Sequence, residues 1–258
     1  MKRRRVSVIL AVCRRTWLRT ARRPVTLTFS LLQPVMWILF FGFLFHRYDV
    51  ARSLGTGRYL DFLVPGVCAM TVLFGASQAG VGLIRDIESG FLERMLSTPA
   101  DASLVLIGKL LADVLRLLGQ AFLLLLLGRL LGAAVSLSVP ALAAVACALG
   151  LFGFGFCSLS CVVALLTRAQ ERMATFVHLV NMPLLFTSSA LVPVRDMPDW
   201  LRAVAAANPL SAAVDTCRSA LLLGDYAGLG SALGFLSIAA IGAFVLAVVS
   251  MRNFRANG

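Results

Sequence analysis

Runs of twenty or so almost wholly apolar residues recur along the chain, and they restrict its fold before any other feature does. A helix crossing the hydrocarbon layer of a bilayer needs about 20 such residues, so lipid accounts for the runs where a larger soluble core would not. The composition agrees. Hydrophobic residues make up 59% of the 258 and charged residues only 14%, whereas a soluble chain is usually about half apolar and about a quarter charged. Mean hydropathy is +0.89. The expectation is an all-α membrane protein whose residues 1–258 form one membrane domain.

Six spans are expected, near residues 24–45, 60–84, 104–131, 139–166, 173–192 and 227–251. Pro34 is placed to kink the first. Ahead of it, residues 6–23 read as an amphipathic helix in the membrane surface, within a cytoplasmic segment 1–23. Val6, Leu10, Cys13 and Trp17 follow helical spacing, and Arg14, Arg15, Arg19, Arg22 and Arg23 fill the other sides. The first apolar run is too long for a cleavable signal peptide, and no small-residue cleavage site follows it. Pro193 to Tyr226 is too polar and too interrupted by proline to be a span. It reads instead as two short helices, Pro198 to Ala207 and Leu210 to Leu223, the first stopped by Asn208-Pro209 and the second by Gly224.

The net charge of +12 suggests nucleic acid until its distribution is read. Nine of the 24 basic residues precede the first long apolar run, where they set orientation and touch anionic lipid head groups. With six spans, fifteen basic residues fall on one side and six on the other. The bias places both termini in the cytoplasm, as for a multi-pass protein of a bacterial inner membrane. No nucleic-acid partner is expected. Of the six cysteines only Cys217 lies in an outer segment, so no internal disulfide is expected there. Cys157 and Cys161 share a helix face without His or carboxylate company, so no metal is expected either.

The loop from Arg85 to Ser103 is the most informative polar stretch. Phe91 to Leu96 can form a short helix, with apolar Phe91, Leu92, Met95 and Leu96 beside Glu93 and Arg94. Thr98, Pro99 and Asp101 then read as a fresh helix start: a cap, a proline at the first helical position, and an acid three residues on. One reading is a solvated loop. The other is a docking element, because apolar residues on a short exposed helix want a partner's groove.

Asp86-Ile-Glu-Ser-Gly90, Leu92-Glu-Arg94, Thr98-Pro99 and Gly108-Lys109 together resemble the loop of type-2 permeases of ATP-binding-cassette exporters. Tyr59-Leu-Asp-Phe-Leu-Val-Pro-Gly66, Met197-Pro-Asp-Trp-Leu201 and Asn208-Pro-Leu210 are similar to that family in the same order, so the likeness spans nearly the whole chain. Its drug-resistance and polysaccharide- or lipid-export branches are the nearest analogues. The resemblance implies six spans, a loop after the second that docks in a groove of the ATPase, and an outer helical hairpin before the last. It would make Asp86, Glu88, Gly90, Leu92, Glu93, Arg94, Thr98 and Pro99 the coupling loop. Trp200, Asn208 and Pro209 would belong to the hairpin. Ser211 and Ala212 stand where an aromatic often follows the Asn-Pro pair. The implied partners are a soluble ATPase carrying ATP and Mg, a second permease copy, membrane lipid and an amphipathic substrate.

Gly108-Lys109 is followed by Leu110, and position 103 is Ser, so no GxxxxGK[ST] phosphate loop is formed. The chain holds no ATP by that route, binds no cofactor of its own and is not expected to be an enzyme. Within the third span, Lys109, Asp113 and Arg116 share one helix face. Each such charge at mid-membrane costs about 2.5–3.5 kcal/mol, so Lys109 and Asp113 are expected to pair or to line a watered face. They serve either as a structural ion pair or in moving substrate. Gln33, Gln78, His178 and Asn181 are expected to bond between helices, and Gly230 with Gly234, like Ala76 with Gly80, to pack within the chain. Two other classes compete. An intramembrane enzyme needs clustered nucleophile, base or metal ligands, and no such set appears: catalytic and metal residues are none. A secondary transporter driven by an ion gradient needs acids within spans, and Asp113 alone is thin support.

Overall fold

The computed structural model describes residues 10–16, 24–45, 58–96 and 101–256, and among them every regular element is helical. In chain order these are α1 (residues 10–16), α2 (Pro24–Leu44), α3 (Tyr59–Glu88), α4 (Phe91–Leu96) and α5 (Ala102–Leu130). Then come α6 (Val139–Thr167), α7 (Gln170–Phe186), α8 (Asp199–Ala207), α9 (Pro209–Arg218) and α10 (Leu229–Ala256). Thr98, Pro99, most of the expected surface helix 6–23 and the polar stretch after α2 lie outside the described residues.

Four helices, α3, α5, α6 and α10 as far as Phe254, are long and apolar enough to cross a membrane. The expected first span is α2, 21 residues that run through Pro34. The expected fifth span is α7, and its 17 residues reach about 25 Å against the roughly 30 Å of the hydrocarbon layer. α7 stops at Phe186, where the next two side chains also bond its last carbonyls. Thr187 Oγ1 donates to Pro183 O at 2.8 Å and Ser188 Oγ to Leu185 O at 2.7 Å. The backbone N–H groups of Thr187 and Ser188 bond the same two carbonyls, at 2.9 and 3.2 Å, so the last turn is closed by main chain and side chain together.

Two boundaries differ from expectation near the loop expected from Arg85 to Ser103. α3 continues to Glu88, so Arg85 and Asp86 form its last turns rather than a loop. α5 starts at Ala102 with Asp101 as its cap, the carboxylate accepting from Ser103 N at 3.1 Å. The acid that was expected inside the first turn is itself the cap.

α3 and α6 form the centre of the bundle. α6 packs against α3 and α10, and α3 also lies against α5 and α2. Small and hydroxylated residues let the two central helices meet. Gly80 N donates to Ser160 Oγ at 3.0 Å, and Ser160 Oγ donates to Ser77 O at 2.7 Å. A Cβ on Gly80 would lie 2.5 Å from the Ser160 carbonyl oxygen. Ser77 Oγ also meets Asn181 Oδ1 at 3.0 Å, so Asn181 does bond between helices, tying α7 to α3. Gly230 and Gly234 do not pack within the chain: no atom of another described element comes within 4 Å of a Cβ placed on either. The α6–α10 contact runs instead through Gly155, whose Cβ would sit 3.0 Å from Ala240 Cα.

Contacts sort the helix ends into two groups. At one end, Asp61 Oδ1 accepts from Ala134 N at 2.6 Å, and Ser136 N donates to Leu221 O at 2.8 Å. That joins the start of α3, the α5–α6 turn and the segment after α9. At the other end, Glu88 meets Gln170, and Arg168 stacks on Phe254 with its Cζ 4.6 Å from the ring centroid. Gly80→Val is expected to destabilise the fold by about 3 kcal/mol, because the interior cannot absorb the added methyls. Gly234→Val should be silent. Thermal unfolding of the purified protein in detergent measures both.

Candidate functional site

The chain turns sharply between α3 and α4, and Gly90 makes the turn. Its φ is +64°, a left-handed conformation that any Cβ would strain. Gly90 N donates to Ile87 O at 2.8 Å and Ser89 N to Arg85 O at 3.1 Å, closing the end of α3. Arg94 folds back over this turn, its Nη2 donating to Ser89 O at 3.1 Å. Leu92 points into the bundle and is only 2% exposed, so α4 is anchored through the residue expected to face a partner. Of its apolar residues Leu92 is the buried one, and Phe91 and Met95 are half-buried. Glu88, Glu93 and Arg94 are left exposed at the corner.

Two flanking residues fasten this corner. Arg15 of α1 places a guanidinium nitrogen 3.6 Å from Asp86 Oδ1, and its Cζ lies 3.2 Å from the centroid of the Phe91 ring. A cation over an aromatic face is attracted by the ring quadrupole, so one side chain holds both α3 and α4. On the other side, Gln170 Nε2 donates to both carboxylate oxygens of Glu88, at 2.9 and 3.1 Å.

Behind the corner, a cavity of about 840 Å³ opens between α2, α3, α5 and α7. Lys109 Nζ and Asp113 Oδ2 pair at 2.9 Å in its wall, both nearly buried, as expected of them. Arg116 takes a different course. It donates to Gly75 O and Gln120 Oε1, each at 3.3 Å, and Gln120 Nε2 in turn donates to Ser30 Oγ at 2.7 Å. The three charges thus share one face, but only two of them neutralise each other.

At the opposite end, Asn208 joins the hairpin to α7. Its Oδ1 accepts from Leu210 N at 2.9 Å and caps α9, with Pro209 at the first helical position. Its Nδ2 donates to Leu184 O at 2.7 Å and to Thr187 Oγ1 at 3.0 Å. Trp200, on α8, is exposed. Deeper in, Arg218 donates to Ser189 O at 2.7 Å, to Ala190 O at 3.0 Å and to Phe62 O at 3.3 Å. It also stacks on the Phe62 ring with its Cζ 3.5 Å from the centroid. Burial draws this guanidinium down to about 10, against the opposing pull of Asp215.

This arrangement of spans, corner and hairpin has a counterpart among known families. The family model described as ABC-2 type transporter matches residues 7–222. The chain belongs to the ABC-2 type transporter family. It is 31% identical over 232 residues to the daunorubicin resistance ABC transporter permease protein DrrB1 of Streptomyces coeruleorubidus, covering 90% of this chain and 80% of the relative. It is also 30% identical over 218 residues to the ycf38 transport permease of Cyanophora paradoxa, covering 83% and 73%. A ycf38 permease of Porphyra purpurea is 31% identical over 215 residues, with the same shares covered. The chain is a multi-pass membrane protein and the membrane subunit of an ABC transporter.

In this ABC-2 subunit the structure brings Asp86, Glu88, Gly90, Glu93 and Arg94 together at one corner, with Leu92 beneath them. It keeps Lys109, Asp113 and Arg116 together in the cavity wall. Arg15, Gln170 and Arg218 escaped the sequence reading. Arg15 looked like one of several solvated leader arginines, and only its helical register relative to Cys13 and Trp17 hinted at a particular direction.

Two substitutions probe this geometry. Asp113→Asn strands the buried Lys109 charge and should cost about 3–5 kcal/mol, while Lys109→Met with Asp113→Leu should recover most of the loss. Chemical unfolding of the three proteins compares them. Arg218→Ala should release α9 from α3, so that Cys217, fully buried in the native protein, reacts with a maleimide many times faster.

Proposed function

We propose that this subunit carries an amphipathic molecule, a drug, a lipid or a glycan, outward across a bacterial inner membrane. The energy comes from ATP hydrolysed, with Mg, on a separate soluble ATPase chain. In this reading α2 and α7 complete six spans with α3, α5, α6 and α10, both termini are cytoplasmic, and two permease copies pair. The α3–α4 corner, with Glu88, Glu93 and Arg94 outward, is the ATPase dock, together with the adjoining Thr98 and Pro99. The hairpin bearing Trp200, Asn208 and Pro209 lies at the outer surface.

The observation that carries this reading is the construction of the corner. A six-residue helix is fixed on a glycine turn and held by Arg15, while Gln170 holds the end of α3, yet the corner presents three charged side chains to solvent. Rigid anchoring with an exposed charged face suits a part that transmits force from a partner. The fifteen-to-six distribution of basic residues supports placing that corner in the cytoplasm. The family's drug-resistance members support export of an amphipathic cargo.

Glu93→Arg is expected to leave the subunit folded and to abolish its co-purification with the ATPase and ATP-driven transport in proteoliposomes. Leu92→Asp should instead unfold the corner, because it buries a carboxylate against apolar neighbours. Transport by this chain alone, driven by an ion gradient and indifferent to ATP, would overturn the proposal in favour of a secondary transporter.

A further inference from the structure

The cavity between α2, α3, α5 and α7 carries an unbalanced charge. Its walls hold four cations, Arg15, Arg85, Lys109 and Arg116, and two carboxylates, Asp86 and Asp113. Arg15 pairs with Asp86 and Lys109 with Asp113, which leaves a surplus of two positive charges, at Arg85 and Arg116. Arg85 sits in the last turn of α3, at the mouth. Arg116 is fourteen residues into α5, about 21 Å along its axis.

Arg116 is the informative one. Among the described residues no carboxylate lies within ion-pairing distance of it, and its two bonds go to neutral oxygens. A guanidinium has five N–H donors and does not lose its proton in proteins, so it cannot escape the membrane interior by neutralising. It is half-buried and faces open volume. A purely structural arginine would be expected to have its own acid, as Lys109 has on the same helix face.

The rest of the lining is graded. Going from the mouth inward along α3, it changes from Asp86 and Arg85 through Gln78 and Gly75 to Phe74, Met70 and Val67, with Thr71 the one polar side chain of that inner stretch. On α2, Ser30 and Gln33 give way to Trp37, and on α7 Gln170 and His178 give way to Met182. One end of the cavity solvates charge and the other solvates hydrocarbon.

We infer that this cavity binds the anionic head group, a phosphate or carboxylate, of a ligand with an apolar tail, and that Arg116 is its deepest head-group contact. The tail lies along Phe74, Met70 and Trp37. A cationic amphipath of the same shape is disfavoured by the two surplus charges. The place of this binding in transport rests on the exporter reading; the binding preference itself does not.

The test is equilibrium binding, without ATP, to the purified full chain in uncharged detergent. Energy transfer from Trp37 to a dansyl label is the readout, in a protein with Trp17→Phe and Trp200→Phe. Three probes share one labelled acyl tail: a lysophosphatidate, an uncharged monoacylglycerol and an alkylammonium. The anionic probe should bind about tenfold more tightly than the uncharged one, the value of one good charged hydrogen bond, and the cation more weakly still. Arg116→Gln should erase that tenfold preference and leave the uncharged probe's affinity unchanged, and Arg116→Lys should keep most of it. Inorganic phosphate alone should displace the anionic probe only at far higher concentration. Equal binding of all three probes, or equal weakening of all three by Arg116→Gln, would overturn the inference. Displacement by phosphate as readily as by unlabelled lysophosphatidate would also overturn it. A chain that keeps the preference yet never associates with an ATPase would sink the exporter reading alone.

Discussion

Arg218 closes the gap that opens where α7 ends. α7 stops at Phe186, and the carbonyls of Ser189 and Ala190 are then left without helical partners. Irregular backbone inside a membrane protein is tolerated only where the protein itself satisfies it. One guanidinium reaches both of those carbonyls and a third on Phe62, at the start of α3. Its stack on the Phe62 ring and its 3.5 Å contact with Asp215 keep that charge compensated. The fit is tight enough that Gly66 needs to be glycine, since a methyl there would collide with the Ala190 carbonyl. The hairpin, the end of α7 and the entry to α3 are therefore one joint. Asn208 adds a second fastening to the same joint through Leu184 O.

The same constraint governs the middle of the bundle and is answered differently there. Lys109 and Asp113 are buried and neutralise each other at i, i+4 spacing, where a matched pair needs no third element. Arg116, one turn further, has only neutral oxygens. Of the three charges on this face of α5, two neutralise each other and the third does not. That contrast is worth more than the count of charges, because the paired residues show what a settled charge looks like in this protein.

Much of this was legible in the sequence, for identifiable reasons. Helix α6 and the body of α3 were readable because their apolar runs exceed the bilayer thickness. The Lys109–Asp113 pair was readable because helical spacing and the cost of an intramembrane charge leave few alternatives. Asn208-Pro209 was readable as a stop and a start because cap chemistry is local. The inward turn of Leu92 was not, since which face of a six-residue helix is covered depends on the neighbours beneath it. Nor were the partners of Arg218, which lie 28 or 29 residues away for Ala190 and Ser189 and 156 for Phe62. The packing expected of Gly230 and Gly234 failed because small residues permit close approach without supplying a partner. Gly80 differs only in having Ser160 opposite it.

The corner and the cavity are not separate sites. Arg15, Asp86 and Gln170 line the mouth of the cavity, and these same side chains fasten the corner to its surroundings. Arg15 carries its charge against Asp86 in the cavity wall while its guanidinium face lies on Phe91 of α4. α4 is in turn bound to the end of α3 by the Gly90 turn and by Arg94 on Ser89 O. A displacement of α4 that breaks the Phe91 stack frees Arg15 to change its position over Asp86, and so alters the charge at the cavity mouth. A packed junction of this kind has few intermediate arrangements, because each of its contacts is either made or lost. The shortest physical route between the exposed α4 corner and the interior cavity is therefore one arginine long.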